Sequence, residues 1–213
     1  METSLLILGK GDNVITMILD NLYSIKSTTR DIDIYNNLGL PVFNKFDHEG
    51  FTVQLLDEPD QKNYNKIFLG VYQPQYKIKI IETLRPDIAK FINIIHDGSD
   101  LSETSQLGVG VLINSKVSVA AHSIIGNFVS INRHVSIGHH TIIDDFCSIN
   151  PGTNIAGNVR IGRGTTVGMG TNIVDGIQIG KNTIIGAGSV VTKDIPDNVI
   201  AYGSPCKIIR ENG

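Results

Sequence analysis

Residues 131–161 read INRHVSIGHHTIIDDFCSINPGTNIAGNVRI, and every sixth residue of this stretch is isoleucine. The spacing extends in both directions without a slip, so that fifteen consecutive repeats carry leucine, isoleucine or valine at the same position. The residue two places before each aliphatic is small or β-branched, and Gly, Ala, Asn or Asp usually follows it. The aliphatic column consists of Leu107, Ile113, Val119, Ile125, Ile131, Ile137, Ile143, Ile149, Ile155, Ile161, Val167, Ile173, Ile179, Ile185 and Val191.

A period of six residues fits neither the 3.6-residue helix nor a sheet of long strands. It is typical of the hexapeptide form of a parallel β-helix, in which very short strands turn a corner at every repeat. Three faces close one coil, so residues 18 apart stack on each other and fifteen repeats predict about five coils. We expect the aliphatic column to point inward and Gly, Asn and Asp to occupy the corners, where a positive φ is tolerated. Burial of the column contributes at most about 1.5–3 kcal/mol per side chain.

The chain before these repeats has a different pattern, in which short apolar strands alternate with helical segments. Such alternation indicates a small parallel α/β sheet. We therefore predict a Rossmann-like domain over residues 1–95 and the β-helix over residues 96–213, with the tail from Ile200 to Ile209 capping the last coil and the α/β domain capping the first. The predicted elements are strands at 5–8, 32–35 and 66–69, and helices at 14–25 and 76–84, with 88–91 as a further helical segment and its exit.

The first strand is followed by Gly9-Lys10-Gly11-Asp12-Asn13 and then by a helix. A strand–Gly-x-Gly–helix turn can present backbone N–H groups and a helix N-terminus to a phosphate. Only two of the three glycines of a dinucleotide fingerprint are present, and Asp12 would repel an anion. A phosphate site and a plain tight turn therefore both remain open at this loop.

Composition narrows the functional classes. The 213 residues carry a net charge of −3 and no run of Lys or Arg, which argues against nucleic acid as a partner. The longest apolar run near the start, Leu5 to Leu8, is too short for a signal peptide or a membrane span. Cys147 falls in the inward column of small residues, and with Cys206 it forms neither a disulfide framework nor a zinc site. We expect a cytoplasmic protein without a membrane partner.

The repeat register assigns positions to the histidines. His139 and His140 follow the inward Ile137 by two and three places, so they lie at a corner and point outward. Histidine at such a corner is suited to take a proton from an attacking hydroxyl or amine, unless it is simply solvent-exposed without a role. One coil later stands Gly157, whose backbone N–H could stabilise a developing oxyanion.

A metal site is the alternative use of these histidines. His134 and His139 have the five-residue spacing found in γ-class carbonic anhydrases. Those proteins need a third histidine about two coils upstream on the neighbouring face, and here only His122 is available, one coil away in a different column. We therefore expect no metal.

With these residues in view, the chain resembles bacterial hexapeptide-repeat sugar acyltransferases, the family of sialic acid O-acetyltransferases and of N-acetyltransferases of UDP-4-amino-4,6-dideoxy sugars. The resemblance implies a left-handed β-helix, a homotrimer, acetyl-CoA as co-substrate in the cleft between neighbouring solenoids, and direct acyl transfer to a nucleotide-linked amino sugar. The matching stretches are Asn93-Ile94-Ile95-His96, Ser136-Ile137-Gly138-His139, Asn150-Pro151-Gly152, Ala156-Gly157-Asn158-Val159, 185–191, Lys193-Asp194-Ile195-Pro196 and Gly203-Ser204-Pro205.

The resemblance also implies residue roles. His139 would be the general base, and the N–H of Gly157 would hold the thioester carbonyl oxygen. Ser148 replaces a family histidine that contacts CoA, and a hydroxyl can make the same bond. The remaining implied contacts are Met169 and Ala187 for CoA, and Gly9, Lys10, Gly11, Asp12, Asn36, Asn37 and Gly70 for the nucleotide.

One departure concerns the residue after the base, which is normally acidic and orients the imidazole. Here it is His140, which can accept a hydrogen bond only when neutral; Asp144 or Asp145 could take over that role. Three other functions stay open on the sequence. They are O-acetylation of sialic acid or another sugar hydroxyl, a non-catalytic binding or assembly role, and a metal-dependent hydratase.

Overall fold

The structure, a computed structural model, describes residues 4–35, 45–48, 50–58 and 60–213. It contains a parallel β-helix preceded by a small α/β unit. The β-helix is built from seventeen two-residue strands, β6 to β22: Ile94–Ile95, Asp100–Leu101, Gln106–Leu107, Leu112–Ile113, Ser118–Val119, Ile124–Ile125, Ser130–Ile131, Ser136–Ile137, Ile142–Ile143, Ser148–Ile149, Asn154–Ile155, Arg160–Ile161, Thr166–Val167, Asn172–Ile173, Gln178–Ile179, Ile184–Ile185 and Val190–Val191.

Every third strand lies in the same parallel sheet, so that the solenoid has three faces. Face 1 contains β6, β9, β12, β15, β18 and β21; face 2 contains β7, β10, β13, β16, β19 and β22; face 3 contains β8, β11, β14, β17 and β20. Partners are 18 residues apart, as Ile137 pairs with Val119 on one side and Ile155 on the other. The predicted hexapeptide β-helix is confirmed. The chain passes from face 1 to face 2, then to face 3 and back to face 1. We call the turns between successive faces corner 1/2, corner 2/3 and corner 3/1.

The predicted number of coils is wrong. Seventeen strands on three faces make nearly six coils, not about five. The aliphatic spacing continues upstream of Leu107 to Leu101 and Ile95, which are only partly buried but pack against the same core. These two rungs lie beside the junction with the α/β unit, where the flanking pattern of small residues fades.

The solenoid interior is filled by aliphatic and small side chains, and its buried hydroxyl groups are hydrogen-bonded. The inward column from Ile113 to Val191 is buried, and the neighbouring small residues are also fully or almost fully buried. Buried hydroxyls donate to carbonyl oxygens of the next coil, as Thr165 does to Gly180 at 2.7 Å and Ser123 to Gly138 at 2.9 Å. Cys147 is completely buried as predicted, and this burial raises the pKa of its thiol to about 12.

The corners are more varied than expected. The third residue after each inward aliphatic from Leu107 to Ile185 adopts a left-handed conformation, and this position holds glycine and asparagine but also lysine, histidine and phenylalanine. Each such non-glycine residue costs about 1–2 kcal/mol of backbone strain, which the stacked coils overcome. The non-glycine examples within the solenoid are Lys116, His122, Phe128, His134, His140, Phe146, Asn158 and Asn182.

The α/β unit has a five-stranded sheet, in which only Lys45–His48 is antiparallel to its neighbour. Across the sheet the strands lie in the order Lys45–His48 (β3), Phe51–Leu56 (β4), Asp31–Tyr35 (β2), Leu5–Leu8 (β1) and Lys66–Leu69 (β5). The predicted strands and both long helices are present, whereas β3 and β4 are additional and residues 88–90 form a 3-10 turn. The helices are Asp12–Ser24 (α1) and Pro74–Leu84 (α2), with 3-10 turns at Gln61–Asn63 and Ile88–Lys90.

The α/β unit packs along face 1 and not only over the first coil. The side chain of Asn21 donates to the carbonyl of Ile113 at 3.1 Å, and the hydroxyl of Tyr72 donates to the carbonyl of Ile149 at 2.7 Å. At the other end, Val199–Tyr202 (β23) pairs with β21, and Lys207–Glu211 (β24) pairs with β23 in antiparallel fashion. The tail therefore extends face 1 beyond the last coil.

Candidate active site

Corner 2/3 carries an imidazole, a glycine and a carboxylate at successive coils. His139, Gly157 and Asp175 are 18 residues apart and each follows an inward isoleucine by two places. The side chains of His139 and Asp175 are exposed, while Gly157 between them is buried. The imidazole projects outward, as the repeat register predicts. The coils are fixed here by the N–H of Asn158, which donates to the carbonyl of His139 at 2.9 Å.

His139 and His140 contact each other directly. The two Nδ1 atoms are 3.1 Å apart, and the rings are nearly perpendicular. Such a contact needs a hydrogen on one nitrogen and a lone pair on the other. If His139 donates, its Nε2 is left with a lone pair and can act as a base. The ring of His122 lies 5.0 Å from that of His140, centroid to centroid, and extends this group along the corner.

Gly157 leaves the space into which the reacting edge of His139 points. A Cβ on Gly157 would lie 2.6 Å from Cε1 and 2.8 Å from Nε2 of His139. The N–H of Gly157 makes no hydrogen bond within the described part of the chain. At corner 3/1 the equivalent N–H groups of Val109 and Asn127 donate to side chains one coil later, at 3.0 and 2.7 Å. The donor at Gly157 is therefore available to a ligand.

The two aspartates considered as partners of His139 lie elsewhere. Asp144 and Asp145 follow Ile143 at corner 3/1, one face away from His139. One oxygen of Asp145 accepts from the N–H of Asn127, and the other lies 3.5 Å from Arg163 Nη1. His140 is thus the residue in contact with the base candidate.

The residues expected to bind CoA lie at different corners, since Gly157 is at corner 2/3 whereas Met169 and Ala187 are at corner 1/2. Met169 and Ala187 are exposed at corner 1/2, where the N–H of Gly188 donates to the carbonyl of Met169 at 2.8 Å. One face of six residues, which spans at most about 20 Å, separates this corner from corner 2/3. Within one chain, Met169 and Ala187 are not brought together with His139 and Gly157.

The expectation that Ser148 contacts CoA is wrong. Its side chain is completely buried where the α/β unit covers face 1. The hydroxyl donates to the carbonyl of Tyr72 at 2.5 Å and accepts from Nζ of Lys77 at 3.3 Å. The repeat pattern places Ser148 outward, but it does not reveal which segment packs on that face.

Lys77 is a buried lysine that the sequence analysis did not identify. Its side chain is 1% exposed, and Nζ lies 2.8 Å from Ser130 Oγ and 2.9 Å from the carbonyl of Phe128. Burial lowers the pKa of Lys77 to about 7. Its hydrogen bonds all go to the solenoid, at face 1 and the residues just before its strands, so Lys77 joins helix α2 to the solenoid.

A cavity of about 690 Å³ lies between the α/β unit and corner 1/2. Lys10 and Gly11 of the predicted nucleotide loop line one side, and Arg133 and the exposed Met169 line the other. The sequence did not predict the contributions of Tyr72, Asn132, Arg133 and Asn150, because they depend on how the two units dock. The lining consists of Lys10, Gly11, Val14, Thr16, Met17, Val71, Tyr72, Gln73, Tyr76, Asn132, Arg133, Asn150, Pro151 and Met169.

Of the other residues predicted to bind the nucleotide, Gly9 and Gly70 do not line the cavity. Gly9 has a φ of 90°, and a Cβ on the buried Gly70 would overlap the Gly9 carbonyl oxygen, so the ends of β1 and β5 touch only because both are glycine. Asp12 is the first residue of α1. Asn36 and Asn37 lie outside the described residues.

The described residues contain neither a metal-binding cluster nor a membrane-spanning helix. Across residues 4–35, 45–48, 50–58 and 60–213, no group of three or more His, Cys, Asp or Glu side chains could hold a metal ion. Within the same ranges, no helix has the length and apolar character needed to cross a membrane.

Comparison with protein families supports the repeat assignment for part of the solenoid. The family model described as bacterial transferase hexapeptide (six repeats) matches residues 158–193. No curated protein matches the chain significantly in sequence.

Solved structures match over nearly the whole chain. The perosamine N-acetyltransferase of Caulobacter crescentus, in complex with CoA and GDP-perosamine, has a TM-score of 0.84 at 25% identity and covers 98% of this chain and 97% of its own. The acetyltransferase domain of PglB from Neisseria gonorrhoeae, in complex with acetyl coenzyme A, has a TM-score of 0.83 at 23% identity, covering 98% and 100%. WeeI from Acinetobacter baumannii shares the fold at 18% identity, with a TM-score of 0.80 and coverage of 97% and 100%. The protein thus resembles bacterial hexapeptide-repeat sugar acyltransferases.

Proposed function

We propose that this protein is an acyl-CoA-dependent acyltransferase that N-acetylates a nucleotide-linked 4-amino-4,6-dideoxy sugar. The observation that carries the proposal is the arrangement at corner 2/3, where Nε2 of His139 faces the gap at Gly157 and the N–H of Gly157 has no partner among the described residues. An unpaired N–H also occurs among the described residues at Met169 and Ala187, which have the same repeat position, so the imidazole stacked over the glycine is what sets corner 2/3 apart. The Caulobacter crescentus neighbour, named as an N-acetyltransferase in complex with CoA and GDP-perosamine, supports the same class.

In the proposed reaction, the amine nitrogen of the sugar attacks the thioester carbonyl of acetyl-CoA. The C–N bond forms as the C=O π electrons move to oxygen, and Nε2 of His139 takes a proton from the nitrogen. The N–H of Gly157 stabilises the oxyanion. When the C=O bond re-forms, the C–S bond breaks and the thiolate takes the proton from His139. The products are the amide and free CoA, and no acyl-enzyme forms.

His140 would act as the positioning residue for the base. By accepting the Nδ1 hydrogen of His139 across the 3.1 Å contact, it would hold the tautomer whose Nε2 is unprotonated. This role requires His140 to be neutral with a lone pair on Nδ1. A neutral imidazole thus replaces the usual carboxylate.

The nucleotide would occupy the cavity between the α/β unit and corner 1/2. Lys10 and Arg133 supply positive charge to this cavity, which suits a diphosphate. Of the predicted domains, residues 1–95 would then form the nucleotide-sugar-binding domain and residues 96–213 the acyltransferase domain, with Ile94–Ile95 at the boundary as the first strand of the solenoid. Met169 lines the same cavity, so the sugar and the CoA channel would meet at this corner.

A second copy of the chain is needed to complete this site. His139 and the cavity lie on opposite edges of face 2, so one chain cannot bring them to the same acyl group. A homotrimer, in which corner 2/3 of one copy faces corner 1/2 of the next, would form three equivalent sites. The left-handed winding and the cytoplasmic location belong to the same proposal.

The direct test is acetyl-CoA turnover by the wild type and by His139→Ala with a panel of UDP-, dTDP- and GDP-linked 4-amino sugars. Lys181→Ala is the matched control, because Lys181 is also exposed two places after an inward isoleucine, but at corner 3/1. We expect His139→Ala to lose roughly 10²- to 10⁴-fold in kcat with an unchanged melting temperature, and Lys181→Ala to keep activity.

Unchanged turnover in His139→Ala would reject the assigned base. Acetylation of sialic acid or another free sugar without a nucleotide would favour the O-acetyltransferase alternative. A folded wild type without turnover on any acceptor would favour a binding or assembly role.

A further inference from the structure

Asp175 is a charged residue at corner 2/3 that the reaction above does not use. Its Oδ2 lies 3.0 Å from the point where a Cβ on Gly157 would stand, and Nε2 of His139 lies 2.8 Å from that same point. An imidazole from the coil before and a carboxylate from the coil after therefore meet over Gly157, and because residue 157 has no side chain, Nε2 and Oδ2 lie at most about 5.8 Å apart, the sum of these two distances.

The carboxylate is held in place but retains its capacity to accept hydrogen bonds. The side-chain amide of Asn158 donates to Oδ2 at 3.1 Å, and the N–H of the next residue, Gly176, donates to the carbonyl of Gly157 at 3.0 Å. Asp175 forms no ion pair with any residue of the described ranges. A carboxylate has about four acceptor positions, so one amide donor leaves most of them open to a ligand.

We infer that Asp175 makes the enzyme selective for an amine acceptor over a hydroxyl, by accepting an N–H hydrogen bond from the nitrogen that gives its proton to His139. This inference rests on the proposed function and deepens it, because it assigns the choice between N- and O-acylation to a named side chain.

The difference between the two acceptors lies in their hydrogens. A primary amine bound as the ammonium ion releases one proton to solvent and still carries two hydrogens, one for His139 and one for Asp175. As the C–N bond forms, the nitrogen also becomes positively charged until His139 removes its proton, and a carboxylate stabilises that charge. A hydroxyl has one hydrogen, so with His139 as its partner its oxygen lone pairs face the negative carboxylate.

The test compares Asp175→Asn with the wild type on two acceptors that differ only at one position, a nucleotide-linked 4-amino sugar and its 4-hydroxy counterpart. The second compound is measured both as an acceptor and as a competitive inhibitor. We expect Asp175→Asn to lower kcat/KM for the amine roughly 10- to 100-fold, the usual effect of losing a hydrogen bond to a charged group. The KM for acetyl-CoA and the inhibition constant of the hydroxy compound should stay within about twofold.

Asp175→Glu should restore part of the amine activity, which a merely structural role would not predict. Asp175→Ser serves as a second variant if the melting temperature shows that Asp175→Asn does not fold. An equal loss for both acceptors, or no loss for the amine, would overturn the inference while leaving the acyltransferase intact. A wild type that acetylates no amine at all would instead overturn the proposed function, and the inference with it.

Discussion

The two corners that flank face 2 have opposite surroundings. Corner 2/3 presents His139, Gly157 and Asp175 on an exposed edge, whereas corner 1/2 is partly covered by the α/β unit and forms a cavity with Lys10 and Arg133. Corner 2/3 carries the histidine proposed as the base, whereas the described residues that line the cavity at corner 1/2 include no His, Asp or Glu. Under the proposed function, each corner would supply half of a site that is completed by a second copy.

The solenoid core holds both corners in place, so a substitution in its interior should have the largest effect, a loss of stability of the whole fold. Ile143 is fully buried, and Ile143→Ala should lower the free energy of unfolding by about 2–5 kcal/mol. Its neighbour Ile142 points outward on the same strand and is half-buried, so Ile142→Ala should cost about 1 kcal/mol or less. Urea unfolding followed by far-UV circular dichroism measures both values. Equal losses in the two variants would contradict the inward and outward assignment.

A change at Gly157 should affect corner 2/3 without affecting corner 1/2. Gly157→Ala adds a methyl group that meets the His139 ring at 2.6–2.8 Å, so the ring must move. A displacement of about 1 Å costs roughly 10²-fold in turnover. We expect kcat to fall by this factor while nucleotide-sugar binding, measured by thermal shift, stays the same. A parallel loss of binding would show that the corners are not independent.

The pH dependence of stability should distinguish the covered face from the exposed corners. Burial lowers the pKa of native Lys77 to about 7, whereas the pKa of an unfolded lysine is 10.5. Between these values the unfolded state binds more protons, so the free energy of unfolding should rise with pH, by at most about 1.4 kcal/mol per unit.

The Lys77→Met variant should lack this rise, and the difference between the wild type and the variant should be flat below pH 7. Urea titrations at pH 6, 7, 8 and 9 provide the measurement. A constant difference over the whole series would mean that Lys77 keeps its charge in the folded protein.

The smallest effect on catalysis is expected from a single change in the cavity at corner 1/2, because several residues there would contact the nucleotide. Arg133→Ala should raise the KM for the nucleotide sugar roughly 3- to 10-fold and leave the KM for acetyl-CoA unchanged, since one exposed cation is lost. Arg163→Ala is the matched control, because Arg163 has the same repeat position at corner 3/1 and pairs with Asp145. A similar increase in both variants would indicate a general effect of charge and not a site at corner 1/2.

Sequence reasoning was most effective where the repeat sets the position of each residue. The six-residue period predicted the three faces, the burial of Cys147 and the outward projection of His139. It also predicted that Gly157 stacks below His139, because residues 18 apart pair in this fold.

Features that depend on packing between units were not predictable in the same way. Ser148 has an outward position in the repeat but is buried under the α/β unit, and Arg133 lines a cavity only because that unit docks beside it. The pattern of a helix such as α2 gives no indication that Lys77 inserts against face 1. The predicted coil count was too low because Leu101 and Ile95 continue the six-residue spacing upstream of Leu107, in a stretch where the small-residue column ends at Asn93.

The division of the site between copies is most directly tested by mixing two variants that are each impaired at one corner. His139→Ala lacks the base at corner 2/3, and Arg133→Glu reverses one charge of the pocket at corner 1/2, so activity is assayed at a nucleotide-sugar concentration far below the KM of Arg133→Glu, where that variant turns over little substrate. After denaturation and joint refolding, a site shared between neighbouring copies should recover activity at about one quarter of the sites, because His139 of one copy can face Arg133 of the next. Joint refolding that yields no more activity than the two variants refolded separately would show that each chain uses its own His139 and its own pocket, and would contradict the account.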